Sequence, residues 1–270
     1  MSETLIVVIT VIGESMRGEE RRGSPEAIAR FRNRLAELKR NGCNILLVGT
    51  DALGPACERL LGESSAGPRY RLFVTTDTGP ATAHAKFDAT QPGPYRDAAA
   101  VVNWDADVRG ATAAEGPEEF GGPTEERDCR GSDGETTARD ADGPPFREEF
   151  VESDDLRDLG TTVEETIESF EAEKGDLSPA ELRLCFDSVT PLVADHEYRD
   201  VRRFLLGLTE TVESVDGMAH YHLPADYESE TVETLEPLFD AVVEVRRAEG
   251  EIEQRWHLTE SDITTDWLPL

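Results

Sequence analysis

The sequence predicts an α/β fold on a mostly parallel sheet flanked by helices, with an antiparallel hairpin near the C-terminal end. Three observations carry this expectation. First, several short runs are mostly apolar without regular alternation, as in residues 44–49 (Asn44-Ile45-Leu46-Leu47-Val48-Gly49), 70–76 and 182–187. Such runs read as strands buried on both faces rather than half-solvated ones, which alternate apolar and polar residues. Second, stretches with helical spacing stand between the runs, and strands alternating with helices give parallel sheets through crossover connections. Third, residues 239–245 and 252–258 read as two strands separated by a short polar segment, the pattern of an antiparallel pair.

In chain order, residues 1–24 join an apolar run (5–12) to the charged stretch Arg17-Gly18-Glu19-Glu20-Arg21-Arg22, with no second strand nearby. They read as a loosely attached extension. Ser24-Pro25-Glu26-Ala27 is a helix start, with a Ser cap, Pro at the first helical position and an acid in the first turn. Ile28, Phe31, Leu35 and Leu38 recur at helical spacing, and Asn41-Gly42 ends that helix. A strand over 44–49, a short helix over 55–61 and strands over 70–76 and 98–103 complete a first unit, 25–104. Residues 105–149 hold fourteen acids, with Val108, Phe120 and Phe146 as their only large apolar residues, and read as a disordered acidic insertion. The fold resumes over 150–270. Val163, Ile167 and Phe170 mark a helix capped by Thr161 or Thr162, and a strand over 182–187 ends in an acid. A helix over 200–212, a strand over 217–223 and a helix over 231–238 lead into the hairpin. Trp256 and Trp267, with Leu268-Pro269-Leu270, are expected to anchor the tail on the core.

Composition narrows the function. Acidic residues number 57 against 27 basic ones, a net charge of −30, and only Lys39, Lys86 and Lys174 are lysines. Such a surface is unsuited to nucleic acid or to anionic membranes, both of which are bound through Lys and Arg. Carboxylate excess with few lysines points instead to a salt-rich cytoplasm of the halophilic archaeal kind, where screening relieves self-repulsion. No apolar run approaches the 18 or so residues of a membrane span, and the run at 5–12 has no positive region before it, so no signal peptide is expected. Cys43, Cys57, Cys129 and Cys185 are scattered without CxxC spacing, which reads as a reduced intracellular chain with no zinc framework.

Ligands of parallel sheets sit at the carboxyl ends of the strands, and there the sequence reads Gly49-Thr50-Asp51-Ala52-Leu53-Gly54-Pro55-Ala56. The glycines stand as in the phosphate-binding pattern G-x-x-x-x-G-K-[ST], after a strand and before a helix. Pro55 occupies the lysine position and Ala56 the hydroxyl position. No cation then reaches a β/γ-phosphate, and Mg²⁺ loses its protein ligand. Asp51 adds negative charge. Leu184-Cys185-Phe186-Asp187-Ser188 is like a Walker B strand, four mostly apolar residues and then an acid. Leu72-Phe73-Val74-Thr75-Thr76-Asp77 places Asp77 where a water-activating carboxylate would stand. Met218 to Leu223, followed by Leu235 to Val245 with Asp240 before its strand, continues the same order of elements.

In these motifs the sequence resembles the RecA-like, KaiC-related P-loop ATPases, over roughly 25–104 and 150–260, as a haloarchaeal branch with an eroded phosphate loop. The resemblance implies a three-layer P-loop sandwich in which Gly49, Thr50, Gly54, Pro55, Ala56, Asp187 and Ser188 are a vestigial nucleotide site. No residue is assigned a catalytic role, Asp77 being the one candidate. It implies no required cofactor, with ATP and Mg²⁺ the only ones in question. It also implies a protein partner such as a KaiC-like ATPase or a signalling component, with self-association as a further possibility. The expected function is a non-catalytic regulatory or interaction module. The rivals are an ATPase with a rearranged phosphate site, using an arginine such as Arg59, and a purely structural assembly subunit.

Several residues have plainer readings. Asp187 can cap the turn that follows its strand, and Asp77-Thr78-Gly79-Pro80 is itself a good turn. His220 and His222 share one strand face, but no third ligand stands in that element. They therefore read as packed polar residues, and no metal is expected; His196 is the remaining histidine that could approach them. Arg199, Arg202 and Arg203 suit either a subunit interface or a solvated face with Glu197 and Asp200.

Overall fold

The computed structural model describes residues 25–62, 69–79, 82–83, 85–86, 98–104, 146–261 and 263–270. The extension over 1–24 and the insertion as far as residue 145 lie outside the described residues. The elements are α1 (Pro25–Asn41), β1 (Cys43–Val48), α2 (Leu53–Leu61), β2 (Tyr70–Thr75), β3 (Ala98–Trp104), β4 (Phe146–Val151), α3 (Leu156–Lys174), β5 (Leu182–Phe186), α4 (Thr190–Asp195), α5 (Tyr198–Ser214), β6 (Met218–Leu223), α6 (Glu230–Leu235), β7 (Ala241–Ala248), β8 (Glu251–Leu258), β9 (Ile263–Thr264) and β10 (Leu268–Pro269).

The described strands form one ten-stranded sheet in the order β10-β8-β7-β1-β6-β5-β2-β3-β4, with β9 on β8. From β7 to β4 every pairing is parallel. β7 and β8 form the antiparallel hairpin read from the sequence, with Val243 opposite Trp256. All six residues of β1 and all five of β5 are buried. That is why these strands lack polar alternation: both faces are covered.

One face carries Leu46, Leu72, Leu184, Phe186 and Tyr221 under α3 and α5, whose Leu159, Val163, Ile167, Val201, Leu205 and Val212 pack onto it. On the other face, Phe31, Leu35 and Leu38 of α1 cover Ile45, Leu47, Val243 and Trp256. Beside them Cys57 and Leu61 of α2 cover Phe73, Val101 and Cys185. The result is helix, sheet, helix. Two buried arginines hold the C-terminal end of α2, Arg71 donating to the Gly62 carbonyl at 2.6 Å and Arg183 to the Leu60 carbonyl at 3.3 Å. Cations at carbonyl-rich helix ends are favourable.

Three details differ from the sequence reading. Residues 146–149, read as the end of the acidic insertion, belong to β4, an edge strand whose Glu148, Glu149 and Phe150 are exposed. An edge strand needs one neighbour and little apolar surface, so composition hid it. The α3 cap is Asp155, whose side chain accepts from the Arg157 N–H at 2.9 Å, while Thr161 and Thr162 lie inside the helix. The short α4 carries too little periodicity to read. The tail does anchor on the core: Leu268 is buried, β10 pairs with β8, and Trp267 lies beneath the Arg246 and Arg255 guanidinium groups at 3.8 and 4.7 Å. Among the described residues no helix is long and apolar enough to cross a membrane.

Candidate functional site

β1 and β5, which carry the two candidate motifs, stand with only β6 between them, so their following loops share the carboxyl end of the sheet. Only residues 49–52 separate β1 from α2, and Gly54 is already helical. Gly49 has a φ of +140°, and a Cβ there would sit 2.3 Å from the Val245 carbonyl oxygen. Its glycine is therefore required by close approach to β7. Ala52 and Ala56 are buried in the core beneath the loop, whereas Thr50, Asp51 and Pro55 are exposed. A side chain larger than alanine at position 56, 1 % exposed, would overpack the core, so a hydroxyl cannot be restored there without cost. Arg59, the substitute cation of the rival reading, lies in the last turn of α2, roughly 9 Å along the helix axis from Leu53.

Asp187 is buried and fully engaged. Its Oδ1 accepts from the Thr76 N–H at 2.7 Å and the Thr76 hydroxyl at 2.9 Å. Its Oδ2 accepts from the Thr78 N–H at 2.9 Å and the Thr78 hydroxyl at 2.5 Å. The Thr76 hydroxyl has one proton, which it shares between Oδ1 and the closer Ser188 carbonyl, so the two N–H groups and the Thr78 hydroxyl are the undivided donors to this carboxylate. Ser188 is buried beside it: its carbonyl accepts from the Thr76 hydroxyl at 2.6 Å, and its own hydroxyl accepts from the Thr190 N–H at 3.3 Å. Asp77 is exposed on the turn between the two threonines. The plainer reading of Asp187, as the cap of a turn, is thus what the contacts display, although the turn is that of β2 rather than its own.

On the α2 side of the sheet the fold brings together a cluster that spacing along the chain did not reveal. Cys185 and His220 are register partners on β5 and β6, and His222 lies two residues further along the same face. Cys57 descends onto them from α2. The Cys57 and Cys185 Sγ atoms are 3.2 Å apart; His220 Nε2 is 3.2 Å from Cys57 Sγ, and His222 Nε2 is 3.7 Å from Cys185 Sγ. The ligand atoms all lie within 4.8 Å of one another, and all four residues are buried. Within their own strand the histidines have no third candidate donor, as the sequence reads; the two further donor side chains beside them come from other elements, α2 and β5. His196 does not join them, and stacks instead on Trp104 at 5.7 Å.

The electrostatics of the cluster follow from burial and contact. Burial lowers His220 below its ordinary value, favouring the neutral ring. Burial opposes ionisation of Cys57, but the hydrogen bond with Cys185 and the neighbouring histidines outweigh it and bring its thiol well below the usual range. Cys185, buried and hydrogen-bonded to Cys57, is pushed well above. Burial alone would lower the pKa of Lys86, yet the neighbouring Cys185, Cys57 and Asp187 hold it raised. Arg203 pairs with Asp200 at 3.0 Å on an exposed face of α5, the solvated arrangement weighed for that arginine group.

Fold and site together define an α/β sheet protein whose carboxyl-end loops are closed by their own side chains over a buried Cys/His cluster. Residues 42–245 match a family of unknown function (DUF7504), and the chain belongs to that family. All four cluster residues, the Gly49 loop and Asp187 fall within the matched region. A search of curated proteins returned no match.

Proposed function

We propose that the chain is a RecA-like, KaiC-related domain that does not hydrolyse ATP and acts as a regulatory module by binding a protein partner in a salt-rich cytoplasm. The observation that carries this reading is the Asp187 carboxylate, whose two oxygens are bonded to Thr76 and Thr78 and not presented to a metal-bound water. The loop supports it: Pro55 lacks both the cation and the backbone N–H that phosphate binding at this place needs, and Asp51 repels the anion. Support for a protein partner comes from β4, which stands at the end of the strand order among the described residues and whose Phe150 is 59 % exposed. A sheet edge offers unpaired N–H and C=O groups to an added strand, and an exposed aromatic beside it supplies apolar contact.

The test is calorimetric titration with Mg·ATP in molar KCl. The expected result is no binding heat above dilution. Saturable binding at micromolar concentrations, weakened by substituting residues of the Gly49 loop, would restore a nucleotide role.

A further inference from the structure

We infer that Cys57, Cys185, His220 and His222 form a closed structural site for a zinc ion. The inference stands apart from the proposed function, because it concerns the interior face of the sheet and not the loops above it.

The four donor atoms are gathered closely enough to surround a single ion. Zinc holds sulfur at about 2.3 Å and imidazole nitrogen at about 2.0–2.1 Å, so tetrahedral donors stand about 3.8 Å apart for S···S and about 3.6 Å for S···N. The separations here are 3.2 Å for the sulfur pair and 3.2 and 3.7 Å for the two sulfur–nitrogen contacts, with no donor pair beyond 4.8 Å. The two sulfurs are not bonded, since a disulfide requires about 2.05 Å, and both cysteines are free.

Donor chemistry selects the metal. Two thiolates and two imidazoles in tetrahedral array suit zinc, whereas magnesium and calcium take oxygen donors, of which this set offers none. Charge agrees with position. Two thiolates cancel Zn²⁺, so the filled site is neutral, as burial inside a sheet–helix layer demands. The role follows from closure: four protein ligands leave no place for water or substrate, the mark of a structural rather than a catalytic site. The ion would tie α2 to β5 and β6, completing the hold that Arg71 and Arg183 exert at the helix's C-terminal end.

The test uses the full chain, purified under reductant in molar KCl. Metal analysis is expected to give about one zinc per chain, retained through dialysis, and X-ray absorption at the zinc edge a shell of two sulfurs and two nitrogens. Co²⁺ loaded into the metal-free chain should give tetrahedral visible bands with a thiolate charge-transfer band, both erased by added Zn²⁺. Cys43→Ser with Cys129→Ser should leave these spectra unchanged. Cys57→Ser with Cys185→Ser should abolish the charge-transfer band and drop bound zinc to near zero, while His222→Gln should keep the band and weaken retention. Because the cysteine variants can fail to fold, the wild-type spectra decide by themselves. A wild-type chain that retains no stoichiometric metal, a coordination shell without sulfur, or a mapped Cys57–Cys185 disulfide in the isolated protein would each overturn the site.

Discussion

Asp187→Ala is expected to destabilise the folded domain by about 3–5 kcal/mol, because it removes a buried charged acceptor and strands the donors that pointed at it. The Thr76 and Thr78 N–H groups and the Thr78 hydroxyl lose their partner, while the Thr76 hydroxyl keeps the Ser188 carbonyl. For a domain of this size the loss corresponds to a fall in melting temperature of roughly 10 °C. Asp187→Asn should fall between: its oxygen still accepts from Thr76, but its amide meets the Thr78 N–H donor to donor. Thermal denaturation in molar KCl checks this. A carboxylate held for magnesium chemistry predicts the opposite, an Asp187→Ala chain as stable as wild type.

The second large effect is that of salt. With a net charge of −30, self-repulsion should unfold the tertiary structure in dilute buffer, where like charges are felt over about 30 Å at about 0.01 M salt, and spare it in molar KCl, where that length falls to about 3 Å. The aromatic reporters are well placed. Trp104 and Trp256 are buried and hydrogen-bonded to Ser153 and Gln254, and Trp267 is held beneath Arg246 and Arg255. Near-ultraviolet circular dichroism should therefore be strong at about 3 M KCl and collapse cooperatively well below 1 M. A spectrum unchanged down to about 0.1 M would contradict the halophilic reading.

What the sequence disclosed, and what it hid, divides along a physical line. Strands buried on both faces, such as β1 and β5, announce themselves because burial makes them mostly apolar without strict alternation, and α5 does so through Val201, Leu205, Leu208 and Val212 on one face. The edge strand β4 is hidden because its energetics come from backbone pairing with β3, which composition does not record. At the site, the phosphate-loop spacing was legible, but the reason for Gly49 was not: it is set by Val245 on a neighbouring strand. Asp187 meets Thr76 across 111 residues, and Cys57 meets Cys185 and His220 across 128 and 163. Contacts of that separation leave no spacing rule. The one local signal was His220 and His222 at a separation of two, and it became informative only once the register of β5 against β6 supplied Cys185.

The central claim, that the carboxyl end of this sheet is closed to phosphoryl transfer, is tested most directly by steady-state phosphate release from Mg·ATP in molar KCl, comparing wild type with Asp187→Asn. The account predicts that both match a buffer blank, since the γ-phosphate has no lysine, the magnesium no hydroxyl, and Asp187 no free oxygen. Wild-type turnover at about 1 s⁻¹ or more, abolished by Asp187→Asn while its melting temperature stays unchanged, would contradict it.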